Sequence, residues 1–135
     1  MKDMLSPIEW EPKFETGHHV IDTDHQHLFD VVNELVVSTN SGFDPWNARK
    51  ALNKARSYAS YHFNHEEKIM RRAKYPDIER HTALHSQYIM TISEMLFQYN
   101  NEVLDQSNLT RCLVGWISDH ILVHDRELGE FLKSI

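Results

Sequence analysis

His62 and Glu66 stand four residues apart, and His81 and His85 repeat that spacing. On a helix, residues at that separation share a face, so each pair points one way as a unit. Single histidines, His25 near the start and His120 near the end, sit in apolar patterns of the same kind. Each of these six occupies a position where a hydrophobic side chain would serve stability better. Burying an unpaired imidazole or an ionised carboxylate costs on the order of several kcal/mol. One such residue is explained by a hydrogen bond in a core; six require a common partner. Imidazole and carboxylate converging in an apolar interior are the donor set of a metal site, and a carboxylate able to bridge suggests two metals. A cation offsets the burial cost, because ligation takes neutral imidazole and ionised carboxylate.

Four amphipathic segments must position these groups. An irregular arm over residues 1–20 contains Trp10, Pro12, Phe14 and Gly17. The first helical period spans about 22–39, with His25, Leu28, Phe29, Val32, Leu35 and Val36 on one face, and Ser41 with Gly42 breaks it. The second spans 45–73, with Asp44 as N-cap and Pro45 at the first helical position, and stops before Pro76. The third and fourth span about 77–99 and 108–133, separated by the polar stretch 100–108. Four such helices with short connections predict an all-α, antiparallel up-down four-helix bundle, one domain over residues 1–135.

Composition narrows the function. The 135 residues carry a formal net charge of -6, with 14 Lys and Arg against 20 Asp and Glu, and this removes the attraction that drives nucleic-acid binding. No apolar stretch approaches the roughly 18 residues of a membrane span, and the first ten residues lack a signal-like apolar run, so a cytoplasmic protein is expected. The single cysteine, Cys112, lies in an apolar pattern and is expected to be a buried core residue. The excess of histidine, 10 residues, is the unusual figure.

The ordered set of runs 17–25 with His25, 62–67 with His62 and Glu66, 81–85 with His81 and His85, and 116–125 with His120 and Asp125 resembles the ligand motifs of the hemerythrin family, bacterial branch. The match extends from Trp10 to about Phe131. This resemblance implies two iron ions joined by a bridging oxo or hydroxo group. It implies His81, His85 and His120 on one iron, His25 and His62 on the other, and Glu66 and Asp125 between them. The two-histidine iron would keep an open position, where the family binds dioxygen.

Periodicity does not by itself select Asp125. Five residues beyond His120 is roughly 140° around an ideal helix, whereas His124 has the inward four-residue spacing. A π-type widening of the turn would bring Asp125 round, and a second carboxylate suits a bridge between two hard cations better than an imidazole does. The remaining histidines, His18, His19, His27 and His65, are expected to be bystanders, while His124 and Glu67 adjoin ligand positions and could orient them.

Leu28, Phe63, Trp116, Ile117 and Ile121 lie one, three or four residues from these ligand positions and are expected to line the open site. A dry, packed pocket admits dioxygen and excludes larger substrates, which favours reversible binding over oxidation of an organic molecule. The leading expectation is therefore a non-enzymic dioxygen carrier or store. The alternatives are an oxygen or redox sensor working with a fused or partner signalling output domain and, further off, a di-iron oxidase or peroxidase.

Overall fold

The computed structural model describes residues 5–40, 45–100 and 106–135. Four helical rods form an up-down bundle: α1 (His19–Asn40), α2 (Pro45–Ala73), α3 (Ile78–Asn100), and a fourth rod built of α4 (Gln106–Asp119), a π-helical segment (His120–Asp125) and α5 (Arg126–Ser134). The expected turn at Ser41 and Gly42, the Asp44 cap and the 101–105 part of the last connection fall outside the described residues. Among those described, no helix is long and apolar enough to cross a membrane.

The inward stripes follow the helical period. On α1, Leu28, Phe29, Val32, Leu35 and Val36 are buried. They meet Leu52, Ala59 and Phe63 of α2, Tyr88 and Ile92 of α3, and Leu113, Ile117 and Ile121 of the fourth rod in one cluster. A second cluster, Ile21, Met70, Tyr75 and Leu128, closes the other end. Polar pairs fill gaps: Thr39 Oγ1 and Thr110 Oγ1 are 2.8 Å apart, and Thr110 is fully buried.

Cys112 corrects an expectation, for it is exposed rather than buried. The buried stripe of α4 runs through Thr110, Leu113 and Ile117. Cys112 precedes Leu113 by one residue, about 100° round the helix, and so turns outward.

α1 begins at His19, three residues before the expected start. The His18 carbonyl accepts the first helical bond from Asp22 N–H (2.9 Å), and His18 Nδ1 caps Ile21 N–H (3.5 Å). Asp22 in turn accepts hydrogen bonds from Thr16 N–H and Oγ1–H (2.8 and 2.7 Å), which fastens the arm to the first turn. Further back, Asn33 and Asn40, seven residues apart on one face of α1, each pair their amide with the backbone of an arm residue, Ile8 and Leu5 respectively. Trp10, Phe14 and Phe29 pack against one another, Trp10 and Phe14 tilted at 5.8 Å and Phe29 edge-on to Phe14 at 4.9 Å.

α2 ends in a left-handed residue, Lys74 (φ 56°). Tyr75 N–H reaches back to the Met70 carbonyl (3.0 Å) and Lys74 N–H to that of Arg71 (3.2 Å). These are the two bonds of a Schellman stop, with Tyr75 packed on Met70 and Pro76 preventing further helix.

Candidate metal centre

Each of the four rods sends polar side chains into the bundle at one level. α1 contributes His25, α2 contributes His62 and Glu66, α3 contributes His81 and His85, and the π-helical segment contributes His120 and Asp125. All seven are buried, with exposures between 0% and 4%. The segment His120–Asp125 is wound with an extra residue per turn, and Arg126 N–H bonds to the Ile121 carbonyl five residues back. That widening brings Asp125 onto the face of His120. His124 remains half-buried at the margin, its ring 5.4 Å from that of His120.

Donor atoms fall into two overlapping groups, each gathered within 4.8 Å: Glu66, His81, His85, His120 and Asp125 in one, His25, His62, Glu66 and Asp125 in the other. Both carboxylates belong to both groups and split their oxygens between them. Glu66 Oε1 faces the Nε2 atoms of His81 and His85 (3.2 Å for His85), and Oε2 faces those of His62 (3.0 Å) and His25 (3.7 Å). Asp125 Oδ1 faces His81 (2.9 Å) and His120 (3.1 Å), and Oδ2 faces His25 (2.9 Å).

Short distances here are mostly not hydrogen bonds. Among the described residues, Nε2 of His25, His62, His85 and His120, Glu66 Oε2 and Asp125 Oδ1 are buried without a hydrogen-bond partner. Buried polar atoms are normally satisfied, so a set of this size requires a ligand that all of them meet. Two cations fit that requirement: imidazole nitrogen and carboxylate oxygen together suit iron, and the shared carboxylates suit a pair.

Electrostatics agree with a site built for positive charge. Burial alone would raise the pKa of Glu66 and of Asp125. The imidazoles facing Glu66 instead hold it well below the usual carboxylate range, and His120 and His25 do the same for Asp125. Burial likewise opposes charge on His62 and His81, but Asp24 and Glu66 push His62 up to about 10, and Asp125 and Glu66 push His81 up to about 10. His85 is the exception: burial dominates and its pKa is lowered.

Apolar side chains pack directly on the imidazoles. Phe63 stacks on His85 at 3.8 Å, and Trp116 stacks on His120 at 4.6 Å. Leu28, Ile117 and Ile121 are buried in the same cluster, whereas Trp116 is partly exposed at its edge. Between α2 and α3 a cavity of about 370 Å³ opens over Phe63 and His85, with Glu67 on its wall, 3.6 Å from His85 Nδ1.

His65 lies outside both donor groups, as its place off the inward stripe implied, but it touches the site through a polar residue that the sequence reading missed. Asp24 is buried and accepts hydrogen bonds from both His62 Nδ1 (3.1 Å) and His65 Nδ1 (3.0 Å). Its signal was present: Asp24 lies three residues after Ile21 and four before Leu28, on the apolar stripe itself.

Residues 16–132 match the family model described as the hemerythrin HHE cation binding domain. The chain belongs to the hemerythrin family. It is 26% identical to the bacteriohemerythrin of Stenotrophomonas maltophilia over 132 residues, covering 96% of this chain and 84% of that one. With the bacteriohemerythrin of Clostridium acetobutylicum it shares 27%, covering 87% and 95%. The myohemerythrin of Theromyzon tessulatum is 24% identical, with 88% of each chain covered. Among solved structures, a crystal structure of wild-type hemerythrin superposes with a TM-score of 0.84 at 25% identity, covering 94% of this chain and 98% of that one.

Proposed function

We propose that this hemerythrin-family chain binds dioxygen reversibly at a non-haem di-iron centre. In this reading His81, His85 and His120 hold one iron, His25 and His62 hold the other, and Glu66 and Asp125 span the two. The observation that carries the reading is the inequality of the two donor groups: three imidazoles on one side, two on the other, with both carboxylates shared. The two-histidine side has one protein donor fewer, which leaves a coordination position for an exogenous ligand. When bound, the two ferrous ions supply the electrons that dioxygen takes up on binding.

The protein's own part is to hold that position ready and dry. In this reading Leu28, Ile117 and Ile121, each 1% exposed, wall it, while Phe63 and Trp116 cover the imidazoles of His85 and His120 on the three-histidine side. Apolar walls exclude the water and protons that would otherwise displace the ligand or carry it off in reduced form. The buried carboxylates offset part of the charge of two cations, so that the loaded centre can exist in a low-dielectric interior. This combination favours a carrier or store over an oxidase, because Leu28, Ile117 and Ile121 give an organic substrate no polar contact to orient it at the open position.

Metal analysis and optical spectroscopy test the reading together. Two irons per chain are expected after iron-replete expression, and the reduced protein should gain a ligand-to-metal absorption band on exposure to dioxygen and lose it on deoxygenation. One zinc per chain would overturn the reading. So would a band that bleaches irreversibly while an added reductant is consumed.

A further inference from the structure

Asp24 Oδ2 is shared by two imidazoles of α2 that face in different directions. His62 is buried and turns Nε2 to the donor cluster, while His65 lies off the inward stripe with about a third (34%) of its side chain exposed. An ionised carboxylate only accepts, so both rings carry their proton on Nδ1, and Nε2 of His62 is the nitrogen left for a metal. Tyr61, itself 54% exposed, lies against the His65 ring at a centroid distance of 4.3 Å and restricts it from the solvent side. Three other ligand positions lack this arrangement. Among the described residues, Nδ1 of His25, His85 and His120 has no hydrogen-bond partner.

We infer that His65 is a positioning residue for the centre, holding Asp24 behind His62 and limiting how much electron density that carboxylate passes to the His62 ring. The inference rests on the di-iron reading and deepens it on the side of the open position. A carboxylate behind a metal-bound imidazole fixes the ring and raises its basicity. With two N–H donors on one oxygen, each receives less of it than a single donor would. Removing His65 gives Asp24 wholly to His62, makes that imidazole a stronger donor and favours the ferric state.

The test compares wild type with His65→Leu, which keeps the apolar contact with Tyr61 but cannot donate, and His65→Gln, whose amide N–H can. In the metal-free proteins, NMR of labelled histidine should show the His62 Nδ1–H proton further downfield in His65→Leu and near its wild-type position in His65→Gln. In the iron-loaded proteins, His65→Leu should have a lower midpoint potential and a faster autoxidation than wild type, and His65→Gln should restore both towards wild type. Iron content and melting temperature should remain those of wild type. An unchanged His62 resonance, or a potential that is unchanged or raised, overturns the inference while leaving the di-iron reading intact. A wild-type chain that takes up no iron sinks both.

Discussion

Glu66 and Asp125, from α2 and the π-helical segment, divide their carboxylate oxygens in the same sense. One oxygen of each faces the His81 side of the centre and the other faces His25. Two residues remote in sequence thus make one two-sided clamp. Replacing Glu66 with Gln keeps the shape but leaves a single neutral oxygen for two sides. In the metal-free protein this also unpairs buried imidazoles, and breaking a buried pair from one side costs about 3–5 kcal/mol. Chemical denaturation of metal-free Glu66→Gln should show a loss of that order, and the variant should retain less than two irons. A variant with full iron and unchanged stability would show that the clamp does not bear on either.

Asp125 and His124 provide a sharper contrast, because they are neighbours with opposite placement. Asp125 is 1% exposed and touches His25, His81 and His120, whereas His124 is half-buried and its pKa is lowered by burial and then by His120 and His81. Asp125→Ala should therefore lose iron from both sides. His124→Ala should keep two irons and the same spectrum. Iron loss confined to His124→Ala would exchange the two assignments.

Most of the bundle was legible because burial follows a period. The stripes on α1 and α2, the Pro45 start and the Pro76 stop depend on local chemistry that a sequence displays. What was hidden depends on contacts between segments. The first turn of α1 extends back to His19 because Thr16 in the arm is fastened to Asp22. Thr110 occupies a core position because Thr39, on another helix, satisfies its hydroxyl. The bond from His65 to Asp24 was hidden because the two residues belong to different rods. Even the π-helical turn could only be named as a condition for Asp125 to face inward, since a helix of ordinary pitch places His124 there instead.

The arm itself can be tested at Gly129. Ala is the better helix former by roughly 0.8–1.0 kcal/mol, so helix propensity predicts that Gly129→Ala stabilises the protein. A Cβ at this position, however, would overlap the backbone carbonyl and Cβ of Thr16, which are not free to move because Thr16 is bonded to Asp22. Overpacking of this kind costs typically 1–3 kcal/mol. Denaturant unfolding should accordingly show Gly129→Ala to be less stable than wild type. A gain in stability would mean that the arm does not hold Thr16 against α5.

Metal removal should reverse the pH dependence of stability. In the metal-free protein the raised groups His62 and His81, at about 10, bind protons more tightly folded than unfolded. Their contribution is fully present below about 6.5, the unfolded value, and is lost as pH rises towards 10. His85, held neutral by burial, acts in the opposite sense and penalises the folded form at pH values below its unfolded value. His25 is raised as well and His124 is lowered, but the lowered groups act below about 6.5, so the three raised imidazoles leave the metal-free protein losing stability as pH rises from 6.5 towards 10. In the iron-loaded protein the same imidazoles must be deprotonated at Nε2, so protons compete with metal and alkaline pH favours the bound form. Melting temperatures measured for both forms across this range should diverge, the loaded protein gaining on the metal-free one as pH rises. Parallel curves would mean that the cluster histidines do not exchange protons for metal.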